Sequence, residues 1–168
     1  INKTNIKNET VLIFGAGPIG IMLGLLAKNI YKARNIIFLE KNPNRISFAK
    51  SFGFENTYIY NENNIIDIVK GCNNKNLVDI IFTACSFVET HVQSLKILEV
   101  GGQINFFGGL PYNSQNLDLD SNVLHYKEQT LTGSHGSTPK QHAFALSLIE
   151  ENKIDLSNLI TRQLSLEE

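Results

Sequence analysis

The chain has 168 residues, of which 42% are hydrophobic, and its formal net charge is −1. This composition suits one globular domain with a sizeable core, and the near-neutral charge without a basic run excludes a nucleic-acid or acidic-membrane surface. No apolar segment approaches the roughly 20 residues of a membrane span, and the polar N-terminus lacks the apolar centre of a signal peptide. We therefore expect a cytoplasmic protein with neither nucleic acid nor a membrane as its partner.

The first structural motif lies at residues 11–30, which read VLIFGAGPIGIMLGLLAKNI. Four consecutive apolar residues predict a strand buried on both faces, and the glycines that follow are spaced G-x-G-x-x-G. Beyond them, apolar residues recur at intervals of three and four as far as Ile30, which predicts a helix. A strand, this glycine spacing and a helix together are typical of a dinucleotide-binding turn. The alternative is an ordinary strand-helix unit that binds nothing.

Each glycine of this motif has a separate expected role. Gly15 makes the tight turn, Gly17 lets the backbone approach a pyrophosphate, and Gly20 lets the helix pack closely on the strand. Pro18 suits the first helical position because proline has no backbone N–H, and an N–H at that position would have no partner in the helix. The free amides of this helix N-terminus would face the phosphates.

The second predicted strand, residues 36–39, ends at Glu40, twenty positions after Gly20. A carboxylate there can accept hydrogen bonds from both hydroxyls of the adenosine ribose and would repel a 2′-phosphate, which favours NAD over NADP. A solvated acid at the strand end is the alternative. Arg45 complicates the prediction, because guanidinium groups bind the extra phosphate in NADP enzymes.

Strands and helices continue to alternate along the chain to about residue 150. The predicted third to sixth strands are residues 57–60, 78–82, 103–107 and 129–133. The helices that alternate with these strands are predicted to end near Phe52, at Gly71, at the pair Gly101-Gly102 and near Glu150.

Two capping boxes and one irregular segment are also predicted in this part of the chain. Ser86 with Glu89 has the capping-box spacing for the fourth helix, and residues 138–141 have it for the last helix. Residues 117–126 are expected to be irregular or edge-like.

This alternation predicts an α/β fold with a doubly wound parallel six-stranded Rossmann sheet and helices on both faces. The expected strand order is 3-2-1-4-5-6, within a single dinucleotide-binding domain over residues 1–168. A ligand would lie across the carboxyl ends of the strands, so the loops after strands one, four, five and six should line one crevice.

The two cysteines give no sign of a disulfide or of a metal site. Cys72 and Cys85 belong to no C-x-x-C pair and to no Cys/His spacing that suits zinc. No metal ligand is therefore predicted in this sequence.

Four stretches together resemble the cofactor domain of the zinc-dependent medium-chain alcohol dehydrogenases. They are VLIFGAGPIG, the acid after IIFL, the pair GG before INFFGGLP, and HYKE followed by LTGSHGSTP. Within that family the chain is most similar to the sorbitol (L-iditol), threonine and sugar-alcohol-phosphate dehydrogenase branch, over nearly its whole length. The resemblance implies an NAD-dependent oxidoreductase, in which zinc polarises a secondary alcohol or polyol while NAD accepts the hydride.

The resemblance also implies cofactor-binding roles for residues at the carboxyl end of the sheet. The amides of Pro18 and Ile19 would bind the pyrophosphate, and Glu40 would bind the ribose. Arg45 would lie near the adenosine end. The other implied residues flank the path to the nicotinamide or hold its carboxamide: Ala84, Cys85, Ser86, Phe107, Gly108, Gly109, Ser134, His135 and Gly136.

The histidines have ordinary structural interpretations. His91 and His142 are predicted in helices, where the imidazole is solvated or packed, and His125 precedes a predicted edge strand. Only His135 falls in a crevice loop, where it could face the nicotinamide. Since it has no acid, base or metal partner in the sequence, no catalytic residue is predicted.

Members of the resembled family also carry an N-terminal zinc-binding catalytic domain, and none of its ligands is recognisable in residues 1–168. We therefore expect a fragment or isolated domain that binds NAD, with zinc bound in the parent enzyme and not by this chain. The resemblance also favours a homodimer or higher homo-oligomer, and residues 122–133 are expected to supply an exposed sheet edge for pairing.

Two alternatives remain open for the function. One is the cofactor domain of a zinc-free quinone or enoyl reductase. The other is a non-catalytic NAD-sensing module.

Overall fold

The computed structural model describes residues 6–166, and its six strands form one parallel sheet in the order 3-2-1-4-5-6. The strands are β1 Thr10–Phe14, β2 Asn35–Glu40, β3 Thr57–Ile59, β4 Val78–Thr83, β5 Leu98–Phe106 and β6 Thr130–Gly133. The α-helices are α1 Pro18–Leu25, α2 Pro43–Ser51, α3 Ile65–Cys72, α4 Val88–Ile97, α5 Ser121–Tyr126 and α6 Pro139–Glu150. This parallel α/β arrangement confirms the predicted Rossmann fold.

Residues 6–166 separate into two compact units, the first ending at His135 and the second beginning at Gly136. The six strands belong to the first unit, and α6 belongs to the second. Within residues 6–166, no helix combines the length and apolar character that a membrane crossing needs.

The central strand β1 is buried on both faces, as its unbroken apolar run predicts. Leu12 and Phe14 point to one face, where they belong to a core cluster that includes α3 and α4 side chains such as Val69 and Leu95. Successive strand residues point to opposite faces. Ile13 therefore points to the other face, where it lies near α1. All of Val11–Phe14 is at most 1% exposed.

The helical segment after β1 extends to Ile30, as predicted, but its last turn is wider than an α-helical turn. Leu26–Ile30 forms a π-helical turn after α1, in which the Tyr31 amide donates to the carbonyl of Leu26 at 3.1 Å. This bond spans five residues instead of the usual four. The helix therefore covers residues 18–30 with a change of geometry near its end.

The predicted capping box of Ser86 and Glu89 is wrong. Helix α4 begins at Val88, so its N-cap is Phe87, and no side chain caps it. Ser86 therefore precedes the capping position by one residue, and the spacing to Glu89 no longer fits. Instead, the Thr90 hydroxyl donates to the Phe87 carbonyl at 2.7 Å. The predicted capping box of the last helix, between Thr138 and Gln141, is confirmed.

The predicted end of the fourth helix at Gly101-Gly102 is also wrong. Helix α4 ends at Ile97, and both glycines lie inside β5, where the pairing register with β4 shifts. A Cβ at Gly102 would lie 2.5 Å from the Leu98 side chain, and Gly101 has φ +72°. The glycines therefore let the strand bend over the buried Leu98 side chain instead of ending a helix.

Residues 117–126 contain a helix that the sequence did not indicate. Helix α5, Ser121–Tyr126, has Asp120 as its N-cap, and the Oδ1 atom of Asp120 accepts hydrogen bonds from the amides of Asn122 and Val123 at 2.9 and 3.3 Å. The expected sheet edge over residues 122–133 is therefore wrong for its first half. At this end of the sheet the edge strand is β6, and β3 is the edge strand at the opposite end.

A pair of glycine substitutions tests the packing of α1. A Cβ at Gly24 would lie 2.8 Å from the Phe38 ring and 2.9 Å from the Phe54 ring, and both rings are buried. We expect Gly24→Ala to lower the free energy of unfolding by about 1–3 kcal/mol, because the rings must shift. Gly71 in α3 is the control, since a Cβ there meets nothing within 4 Å. Gly71→Ala should raise stability by about 0.5–1 kcal/mol. Urea denaturation measures both, and equal effects would contradict the packing.

Candidate functional site

The chain turns sharply where β1 ends, and only glycine fits the turn. Gly15 has φ +99°, and its amide donates to the carbonyl of Leu39 in β2 at 2.9 Å. A Cβ at Gly15 would lie 2.8 Å from the carbonyl oxygen of Ala84, which follows β4. The turn is therefore held between the ends of the two strands that flank β1.

The other two glycines of the motif differ in their surroundings. A Cβ at Gly20 would collide with the carbonyl of Gly15, so α1 packs directly on the turn. A Cβ at Gly17 would meet only the guanidinium of Arg45, at 3.8 Å. Gly17 is the N-cap of α1, with Pro18 next and no side-chain cap. The helix therefore begins without a side-chain cap beside the Arg45 guanidinium, and free amides at such an N-terminus attract anions.

Glu40 connects this turn to the next part of the chain. Its carboxylate is 7% exposed, and Oε2 accepts a hydrogen bond from the Ala16 amide at 2.8 Å. Oε1 accepts bonds from the amides of Lys41 and Asn42 at 2.7 and 2.9 Å. A carboxylate has about four acceptor positions, so about one remains for a ligand. The motif spacing does not indicate these three hydrogen bonds, because they depend on how the glycine turn folds back over the end of β2.

Arg45 lies beside both the turn and the acid. Its guanidinium is 3.9 Å from Oε2 of Glu40, and the side chain is 55% exposed. The same group is the nearest neighbour of a Cβ built on Gly17. Arg45 is therefore partly held over the glycine turn and partly solvated.

These loops enclose a cavity of about 220 Å³ at the carboxyl end of the sheet. Its lining includes seven of the predicted cofactor-binding residues: Gly15, Gly17, Glu40, Arg45, Ala84, Cys85 and Ser86. Six further lining residues were not predicted as site residues: Phe14 and Leu39 in the strands, and Lys41, Tyr60, Phe87 and Thr90. The last four belong to no recognised motif and come together only because the ends of β2 and β3 and the start of α4 lie at the same edge of the sheet.

The thiol of Cys85 lies next to the Thr90 hydroxyl in the lining of this cavity. Its Sγ lies 3.4 Å from the Thr90 hydroxyl, and burial raises the pKa of the thiol. The protonated thiol is therefore the form present at neutral pH, and it acts as a weak polar contact.

The loops after β4 and β5 are packed against each other. The Gly108 amide donates to the carbonyl of Thr83 at 2.6 Å, and a Cβ at Gly108 would collide with the backbone of Cys85. Only glycine fits this close approach.

The remaining predicted nicotinamide residues do not line the 220 Å³ cavity. Gly109 is exposed, and Phe107 is half-buried. The Ser134 hydroxyl accepts a hydrogen bond from the Asn105 side chain at 2.9 Å, and His135 is exposed. Gly136 belongs to the second unit and has φ +65°.

His91 is packed, in agreement with its sequence interpretation. It is 3% exposed, and its ring stacks on Phe106 with centroids 4.2 Å apart. Burial lowers the pKa of this imidazole, so the neutral form is favoured. His142 contacts the Ser137 hydroxyl. His125 lies within α5, beside the Tyr126 ring.

Within residues 6–166, no three His, Cys, Asp or Glu side chains are grouped so that they could hold a metal ion.

Comparison with known proteins relates this geometry to one family. The family model described as zinc-binding dehydrogenase matches residues 18–151. An L-threonine 3-dehydrogenase from Chelativorans sp. (strain BNC1) is 26% identical over 161 residues, which are 96% of this chain and 46% of that protein. The chain therefore spans about half the length of the curated relatives it matches.

Two solved structures share the fold with TM-scores of 0.79. One, described as a short chain alcohol dehydrogenase from E. coli CFT073, was solved with NADH. It is 19% identical, and the match covers 90% of this chain and 43% of that one. The other, described as a zinc-binding dehydrogenase from Sinorhizobium meliloti 1021, was solved with NADP. It is 23% identical, and the match covers 92% of this chain and 45% of that one. Because the family model matches most of its residues, this chain belongs to the zinc-binding dehydrogenase family.

Proposed function

We propose that this chain binds NAD(H) as the cofactor domain of a zinc-dependent dehydrogenase that acts on a secondary alcohol or polyol. One observation carries the proposal: Gly17, at the N-terminus of α1 that no side chain caps, lines the same cavity as the buried acid at the end of β2. Amides and the helix dipole at such an N-terminus favour a pyrophosphate. The two solved structures of the same fold, one with NADH and one with NADP, support a nicotinamide dinucleotide as the ligand.

The proposed cofactor path runs from the glycine turn along the carboxyl ends of the strands. The pyrophosphate would lie against the backbone of Pro18 and accept a hydrogen bond from the Ile19 amide, and the adenosine ribose would contact Glu40. The remaining assignments come from the family resemblance. They put Ala84, Cys85 and Ser86 along the path, and Phe107, Gly108, Gly109, Ser134, His135 and Gly136 around the nicotinamide.

We propose NAD, and not NADP, as the preferred cofactor because of the position of Glu40. The acid is buried and held by three amides, so it cannot turn away from a 2′-phosphate at close range. Arg45 offers only partial compensation, since it is half-exposed and already lies 3.9 Å from the same carboxylate.

The chemistry of the parent enzyme would need a second domain. We propose that a zinc-binding domain outside residues 1–168 supplies the metal and the alcohol pocket, which agrees with a chain that spans 46% of its relative. Bound zinc would polarise the alcohol oxygen as a Lewis acid. The residues of this chain would bind and orient the dinucleotide. The name of the relative, L-threonine 3-dehydrogenase, supports a small hydroxyl-bearing substrate.

The ratio of the dissociation constants for NADP and NAD tests the role of Glu40. We expect wild-type protein to prefer NAD, and Glu40→Ala to reduce the Kd ratio by about tenfold to a hundredfold. Loss of the hydrogen bond to Ala16 would loosen the glycine turn and weaken the binding of both nucleotides equally. A change in the ratio of the two dissociation constants therefore reports on recognition of the ribose. Calorimetric titration with both nucleotides measures it.

The control for this experiment is Glu55→Ala, which removes an exposed acid before β3 and should leave both constants unchanged. Equal affinities of wild-type protein for NAD and NADP would contradict the assignment. An unchanged ratio in Glu40→Ala would contradict it as well.

The isolated chain should bind the cofactor but catalyse no reaction. We expect the 168-residue protein to bind NAD without turning over L-threonine or a polyol, because residues 6–166 contain no grouped metal ligands. Metal analysis and a steady-state assay for NADH formation test this. Stoichiometric zinc in this chain, or alcohol-dependent NADH formation by it, would contradict the proposal that a separate domain supplies the metal and the alcohol pocket.

We also propose that the chain forms a homodimer or higher homo-oligomer through β6, one of the two edge strands of the sheet. An unpaired strand edge is a template for a second copy. Sedimentation at micromolar concentration should give a dimer or larger species, and Thr130→Lys should shift it toward the monomer by bringing like charges together. A strict monomer would contradict pairing through this edge.

A further inference from the structure

Asn105 is a polar residue in a strand position where an apolar residue is expected. It lies in β5 between Ile104 and Phe106, and it is 0% exposed. Asparagine is uncommon in strands, and a buried amide is costly unless its donors and its acceptor are hydrogen-bonded. The Oδ1 atom of Asn105 has no hydrogen-bond partner among residues 6–166. Packing of the core therefore does not explain this residue.

The amide nitrogen of Asn105 binds two hydroxyl groups that follow each other along the neighbouring chain segment. Asn105 pairs with Thr132 of β6, and Ser134 lies two positions further along, so the side chains of all three share one face. The Nδ2 atom donates to Thr132 Oγ1 and to Ser134 Oγ, each at 2.9 Å. Both protons of the amide nitrogen are therefore used.

The Thr132 hydroxyl fixes the orientation of this amide. Thr132 Oγ1 donates to the carbonyl of Ile104 at 3.1 Å. Because a hydroxyl has one proton, Oγ1 can only accept from Asn105, and the atom that faces it must be the amide nitrogen. A flipped amide would place the oxygen of Asn105 against another acceptor. The amide nitrogen is therefore also the atom that faces Ser134.

Ser134 is left with one unused donor. Its Oγ accepts the hydrogen bond from Asn105, and its backbone amide donates to the carbonyl of Phe106 at 3.2 Å. Within the described part of the chain, residues 6–166, the Ser134 hydroxyl donates to no acceptor. The residue is half-buried and directly follows β6. Its hydroxyl proton is thus the donor that Ser134 can offer to a ligand.

We infer that Asn105 is a positioning residue that makes the Ser134 hydroxyl a hydrogen-bond donor to the carboxamide oxygen of the nicotinamide. This inference rests on the proposed function, which puts Ser134 beside the nicotinamide. The ring nitrogen of the nicotinamide carries the ribose, so the acceptor of this group is the carboxamide oxygen, and its donor is the NH2 group. A hydroxyl that already accepts from Asn105 and keeps its proton free is matched to the oxygen.

Substitution of Ser134 tests the contact in the 168-residue chain. Ser134→Ala removes the hydroxyl, and we expect it to weaken NAD binding about twofold to tenfold in calorimetric titration. Binding of ADP-ribose, which lacks the nicotinamide, should not change. Ser51→Ala is the matched control, because it removes an exposed serine hydroxyl that donates to the Phe48 carbonyl within α2. It should leave both affinities unchanged.

Two analogues of NAD test the direction of the hydrogen bond. The 3-acetylpyridine analogue keeps the carbonyl oxygen and has methyl in place of NH2, so Ser134→Ala should weaken its binding as much as that of NAD. The thionicotinamide analogue has sulfur, a weaker acceptor, in place of the oxygen, so its loss should be smaller. If the hydroxyl instead accepted a bond from the NH2 group, binding of the acetylpyridine analogue would be unaffected by the substitution.

Substitution of Asn105 tests the positioning step. Asn105→Leu keeps a side chain of similar shape without polar atoms and frees the Ser134 hydroxyl to rotate. We expect NAD binding to weaken about twofold to tenfold and ADP-ribose binding to stay unchanged. The double variant with Ser134→Ala should bind NAD no more weakly than Ser134→Ala alone, because Asn105 acts through Ser134. If Asn105→Leu does not fold, Thr132→Val replaces it, since it removes the hydroxyl that fixes the amide and should have the same two effects.

The outcomes distinguish this inference from the function on which it rests. If wild-type protein binds NAD and Ser134→Ala binds it equally well, the inference is overturned and the proposed function stands. An acetylpyridine analogue unaffected by Ser134→Ala has the same meaning. So does a positioning variant that binds NAD as tightly as wild-type protein, or one that weakens NAD and ADP-ribose equally. If wild-type protein binds no NAD, the inference and the proposed function are both overturned.

Discussion

The candidate site depends on the hydrogen bonds that the Glu40 carboxylate accepts from three backbone amides. One bond reaches Ala16 in the glycine turn after β1, and two reach the start of α2. Without them, the turn would be held by β1, by the hydrogen bond from the Gly15 amide to the Leu39 carbonyl and by the close approach of Gly15 to Ala84. A buried carboxylate is costly unless it is hydrogen-bonded, so the charge and the loop stabilise each other. The same acid that would select the cofactor thus also shapes the place where its phosphates would bind.

Much of the fold was predictable because its signals are local. The apolar run Val11–Phe14 and the glycine spacing after it identify a buried strand and a tight turn without knowledge of distant residues. The strand order then follows from alternating strands and helices, since crossover connections allow few topologies. The positions of Glu40 and Arg45 near the turn were likewise predictable, because the end of β2 lies beside the end of β1.

The features that sequence patterns missed depend on contacts between distant parts of the chain. The pair Gly101-Gly102 resembles a helix stop, yet the glycines lie in β5 because Leu98 is buried opposite Val78. Lys41 and Phe87 are 46 positions apart, and the Lys41 ammonium lies 4.1 Å from the centroid of the Phe87 ring because the end of β2 and the start of α4 lie at the same side of the sheet. Neither residue type signals a ligand by itself, so no motif could identify the pair.

The π-helical turn Leu26–Ile30 has a consequence for the length of the connection between β1 and β2. Gly20 fixes the start of this connection against the turn, and the pairing of Thr10 with Asn35 fixes its end. A wider turn holds one more residue than an ordinary turn over nearly the same rise. The segment therefore absorbs a one-residue difference in chain length without displacing either anchor. Relatives with a connection one residue shorter can keep the same sheet register by using a regular helix here.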